Sequence, residues 1–139
     1  MRTTFVMAAL CVFGSASAAP ARPFTLYSDV CYNREGGDVL GTRIGILRLP
    51  EASYLYLQFA QGDFEAPQMI KLGPGDLNGG RLTFSAQIVA KGPQSVFHGR
   101  VTDAMLMGAF DDHAQGPSGN ARFNLRQSPP DKKGFPDCK

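Results

Sequence analysis

Both histidines of this 139-residue chain, His98 and His113, lie in one stretch, FHGRVTDAMLMGAFDDH, together with Asp103, Asp111 and Asp112. Imidazoles and carboxylates are the side chains from which zinc sites and acid/base pairs are built. The residues between them argue against either here. Phe97, Gly99 and Val101, then Leu106, Gly108 and Phe110, recur at every second position, the period of strands whose alternate side chains share a face. With Asp103 and Ala104 as the turn, antiparallel pairing sets Val101 opposite Leu106, Gly99 opposite Gly108 and Phe97 opposite Phe110, all on one face. His98 then points outward opposite Ala109, and His113 lies beyond the strand end. Strand residues rise roughly 3.3 Å each, so the two imidazoles share a metal only if the loop folds back. Asp111 and Asp112 are neighbours at a strand end, point in opposite directions and make no acid/base pair. The paired glycines leave a gap on the inner face, for a tight bend or a large neighbouring side chain.

Nucleophilic chemistry has no better footing. The sequence contains no G-x-S-x-G elbow, H-E-x-x-H helix, C-x-x-C pair or Walker loop. Gly73-Pro74-Gly75 and Asn78-Gly79-Gly80 read as turns, because no helix follows them to cradle a phosphate. No loop has the D-x-D-x-D-G spacing of a calcium site. The expectation is a protein without catalytic residues, cofactor or metal. The formal charge is +2 with acids and bases interspersed, and no basic stripe suggests a nucleic-acid partner.

The chain opens as a secretory signal peptide does. Arg2 precedes an apolar run from Phe5 to Phe13, and small residues end in Ala16-Ser17-Ala18, an A-x-A site that places cleavage after Ala18. Cutting one residue later would put Pro20 directly beyond the scissile bond. The run is shorter than the roughly 20 residues needed to span a bilayer, and Cys11 is not placed for lipid attachment, so no membrane anchor is expected. About 120 residues remain, one domain by the usual length prior. The leader takes Cys11 with it and leaves Cys31 and Cys138, an even pair suited to a periplasmic or secreted protein. A disulfide closing a loop of about 100 residues stabilises by roughly 4 to 5 kcal/mol in the loop-entropy picture, with measured values often lower.

Period-two alternation runs down the mature chain and no window sustains a helical pattern, so the fold class is all-β. Turn signals separate about eight strands, expected at 24–31, 41–49, 53–60, 66–72, 81–90, 95–102, 105–111 and 120–126. Their short connections suit a small antiparallel up-and-down barrel spanning 19–126; a two-sheet β-sandwich is the alternative. In that order one end of the barrel gathers Glu35, Asp38, Asp63, Glu65, Asp112 and His113 against Arg34 and Lys91, with Phe64 at a loop tip. Phe64 among acids is a candidate contact for a partner, unless it folds inward as a plug. The segment 127–139 carries Pro129, Pro130 and Pro136 and is long enough to return along the outside of the barrel to Cys31, covering the seam between first and last strands.

The stretch YSDVCYNREGGDVLGTRIGILRL, from Tyr27 to Leu49, resembles the opening of a family of small exported proteobacterial proteins. The resemblance extends through FHGRVTDAMLMGAF to the C-terminal cysteine. It implies export and a small calycin-like or lipocalin-like barrel, and it implies no substrate. Tyr27, Asp29, Tyr32 and Glu35 cluster in that opening, either as a patch at the barrel mouth or as hydrogen-bonding residues around the disulfide. The expected function is an exported, non-catalytic binding module. Its partner is an envelope protein met by Phe64, Glu65, Asp63, Glu35, Asp112, His113 and Tyr32, as in an inhibitor of a cationic hydrolase. The alternative is a small apolar ligand held inside the barrel, lined by residues such as Phe84, Ile88, Phe97 and Phe110.

Overall fold

The computed structural model describes residues 22–88, 92–112, 121–129 and 133–139. The expected leader and its cleavage site, Lys91 and His113 lie outside the described residues. The strands are β1 (Phe24–Ser28), β2 (Cys31–Asn33), β3 (Asp38–Arg48), β4 (Ser53–Phe64), β5 (Gln68–Leu72), β6 (Leu77–Asn78), β7 (Arg81–Gln87), β8 (Gln94–Val101), β9 (Met105–Phe110) and β10 (Arg122–Ser128). They form one antiparallel sheet in the order β5-β4-β3-β1-β10-β9-β8-β7-β6, with β2 also pairing β3. The sheet curls into a nearly closed barrel, as period-two patterning with short turns predicts.

The β8–β9 hairpin has the expected register. Val101 faces Leu106, Gly99 faces Gly108, Phe97 faces Phe110, and exposed His98 faces Ala109. The Phe97 ring fills the gap over the paired glycines, where a Cβ on either would overlap it. Phe84, Phe97, Phe110 and Phe123, one from each of four consecutive strands, lock ring against ring; Phe84 stacks on Phe97 at 4.8 Å and Phe97 meets Phe110 edge-on at 5.2 Å. Ile44, Ile46, Leu55, Leu57, Leu82, Leu106 and Leu125 complete the buried interior. Side chains therefore fill this barrel, as an interior of about eight strands allows.

Two departures from the sequence expectation have local causes. The first strand is broken at Asp29 and Val30. The chain crosses Gly41 so closely that a Cβ there would meet the Val30 Cα at 2.7 Å, and Gly41 holds a φ of 131°. Ser28 pairs with Arg43 and Cys31 with Leu40, so the register is the same on both sides of the break. The barrel is not fully laddered: β5 and β7 share no backbone pairing. The glycine-rich connector folds β6 onto the lower part of β7, pairing Leu77 with Leu82 and Asn78 with Arg81. Above it the Gln68 side chain bridges the gap, donating to the Gln87 carbonyl at 2.7 Å and accepting from the Gln87 N–H at 3.2 Å. As an up-and-down barrel requires, the first and last strands are hydrogen-bonded to each other, with Tyr27 opposite Gln127. The tail returns along the outside of this β1–β10 junction, where Gly134, Phe135 and Pro136 line a groove together with Ser28 and Arg126.

Candidate functional site

The loop end of the barrel is held together by its own acids. Asp111 exchanges two bonds with Val96, donating its N–H to the Val96 carbonyl at 2.9 Å and accepting the Val96 N–H on Oδ1 at 3.1 Å. The buried Ser95 hydroxyl donates to Asp112 Oδ2. These adjacent aspartates clasp the open end of the β8–β9 hairpin. Asp63 Oδ1 accepts the N–H of Phe64 at 2.7 Å, and the exposed Glu65 returns its own N–H to the Phe59 carbonyl at 2.9 Å. Glu35 lies in the exposed turn after β2, its N–H bonded to Asn33 Oδ1 at 3.2 Å. Among the described residues no three His, Cys, Asp or Glu side chains are grouped to hold a metal ion.

Phe64 is not a loop tip. It is the last residue of β4, because β4 runs on past residue 60 to pair Gly62 with Val39. Its half-buried ring packs on Phe135 of the tail, centroids 5.6 Å apart. The Arg43 guanidinium carbon lies 4.3 Å from the Phe64 ring centroid and 5.1 Å from that of Phe135. Phe64 is therefore one wall of a clamp on an arginine, neither a free contact nor a plug.

The tail makes this arrangement. Cys31 and Cys138 form a disulfide across a Cα separation of 4.9 Å, a bond compatible with an oxidising compartment. Tyr32 donates its N–H to the Pro136 carbonyl at 2.8 Å and its carbonyl accepts the Cys138 N–H at 2.9 Å, so the tail end joins β2 through a single parallel bridge between Tyr32 and Asp137. Arg34 Nε reaches Asp137 Oδ1 at 2.8 Å. That pair is highly exposed and contributes little by itself; the disulfide and backbone bonds fix the strap. Tyr32, expected as a binding residue, serves the tail through its backbone, and its side chain remains exposed.

Between the strap and the outer wall of β10, β1 and β3 lies an open groove of about 480 Å³. Arg43, Arg126, Ser28, Asn124 and Asp29 line its polar side, and Phe135 forms part of its apolar side. Asp29 Oδ1 accepts the Thr42 N–H at 2.6 Å, a bond a strand carbonyl would otherwise take. Burial pushes the Asp29 carboxyl above its ordinary pKa, against the lowering effect of that bond. Tyr56, on β4, hydrogen-bonds to Gln58, and burial raises its phenol while nearby Arg43 lowers it. Tyr27 turns inward, and its hydroxyl donates to the Thr102 carbonyl at 2.7 Å, so it stands apart from Asp29 and Tyr32. The opening cluster thus divides into core, bridge and surface.

Fold and groove define a small filled β-barrel with a disulfide-strapped outer wall. No protein-family model, curated protein or solved structure matches this chain. Sequence reasoning missed Arg43, Arg126 and Phe135 as a group. A partial signal existed: alternation puts Arg43 and Arg126 on outward faces, and an aromatic close to the second cysteine must land near the first.

Proposed function

We propose that this chain is an exported, non-catalytic β-barrel binding module that recognises an envelope protein through its outer wall. The observation that carries the reading is the contrast between an interior filled by interlocked phenylalanines and a strapped groove of about 480 Å³ on the outside. A small apolar ligand inside the barrel would have to displace that core. Export rests on the leader pattern and on a disulfide compatible with an oxidising compartment. Within the groove Asp29 is held by its bond to the Thr42 N–H and Arg43 by its ring contacts with Phe64 and Phe135, an arrangement suited to recognition.

The test is capture from an envelope extract with immobilised wild type, Arg126→Glu in the groove and His98→Glu on the outer face of β8, two strands away. His98→Glu retains the wild-type partners and Arg126→Glu loses them. Identical partner lists for all three would overturn an outer-wall site at this groove. Saturable uptake of an apolar fluorescent dye into the barrel would favour the interior ligand instead.

A further inference from the structure

Two arginines share the groove, and among the described residues neither forms an ion pair. Arg43 on β3 and Arg126 on β10 are both register partners of Ser28 on β1. Their side chains therefore form one outward row, with Ser28 between them and neighbouring strands about 4.8 Å apart. Among the described residues the ion pair formed is Arg34 with Asp137, at the far side of the strap. The acid lining the groove, Asp29, has Oδ1 committed to the Thr42 N–H.

Arg43 is held differently from a surface arginine. Phe64 and Phe135 both pack against its guanidinium, and its Nε is buried without a hydrogen-bond partner. A guanidinium gripped this way keeps its rotamer and can offer its terminal N–H edge as a planar fork, the geometry that matches a carboxylate. Exposed Arg126 supplies a second, movable cation. Asn124 and Ser28 add neutral hydrogen-bonding groups, and Phe135 and Pro136 add apolar wall. A free ion has no use for that apolar wall, whereas an acidic side chain with its flanking residues does. The volume lies in the range of sites that enclose a small ligand.

We propose that the groove is an oxyanion site that takes a carboxylate of an acidic peptide segment. Arg43 is the fixed fork, Arg126 the second cation and Phe135 the apolar contact for the neighbouring residue. The source of the carboxylate rests on the protein-recognition reading above; the oxyanion chemistry does not.

The experiment follows the arginine Nε–Hε resonances of the full disulfide-bonded protein by NMR. Three probes are titrated: acetyl-Glu-Leu-Glu-amide, acetyl-Gln-Leu-Gln-amide and inorganic phosphate. The Glu peptide displaces the Arg43 and Arg126 signals saturably, and the Gln peptide does not. Arg126→Gln, on an exposed strand position outside the clamp, weakens binding about tenfold while leaving the amide spectrum of the core unchanged. Equal responses to the Glu and Gln peptides, or no response to the Glu peptide, would overturn the proposal. Saturation by phosphate without the Glu peptide would assign the site to a free anion and overturn the peptide source. Peptide binding with envelope capture unaffected by Arg126→Glu would overturn the recognition reading alone. Capture lost without any peptide response would overturn the oxyanion site alone.

Discussion

At Asp29 a carboxylate stands where a strand would offer its carbonyl, accepting the Thr42 N–H while burial disfavours its charge. The folded pKa is raised, so the folded protein binds this proton more tightly than the unfolded chain. The resulting stabilisation is full below the unfolded value of 3.8 and is lost as pH rises through the folded value. Asn at this position keeps an acceptor and has no proton to lose. The stability of wild type minus that of Asp29→Asn, from urea unfolding, therefore falls as pH rises above 3.8; a difference that rises instead would show that the Thr42 bond outweighs burial. The residue scale also shows what a sequence can reveal. Phe97, Gly99, Gly108 and Phe110 disclose their register because each side chain's role depends on its immediate cross-strand neighbours. Arg43 discloses nothing of its clamp, because one of the two rings that grip it, Phe135, arrives from the far end of the chain.

Among the elements, most strands were legible to within a few residues, and their ends were less so. Beyond residue 60, β4 continues because β3 begins early enough to pair with it, a fact about the partner strand and not about Gln61 to Phe64. The seam between β5 and β7 was invisible for a related reason. Two residues of a glycine-rich connector, Leu77 and Asn78, take part of the β7 edge, and a side-chain amide substitutes for a backbone ladder on the remainder. Gln68→Ala removes both bonds of that bridge. It is expected to cost about 1 to 2 kcal/mol and to speed hydrogen exchange at the Gln87 amide, while Gln68→Glu, which keeps the acceptor, protects that amide better than Ala does. Unchanged exchange in the alanine variant would mean that the seam is held in another way.

For the whole molecule, the disulfide ties the end of the chain to β2 across 107 residues. Loop closure on that scale restricts the unfolded chain strongly, and the same bond seats Phe135 over Arg43. Cysteine count made the pairing legible; what the strap builds on the outer wall depended on where its aromatic comes to rest. The central claim is that recognition occurs at this wall and not inside the barrel. It is tested most directly by site-specific photo-crosslinking in the envelope, with the photoreactive residue placed at Asn124 in the groove or at His98 on the outer face of β8, outside the groove. A discrete protein adduct from position 124 and none from position 98 is the expected result; equal labelling from both positions, or labelling from 98 alone, would contradict it.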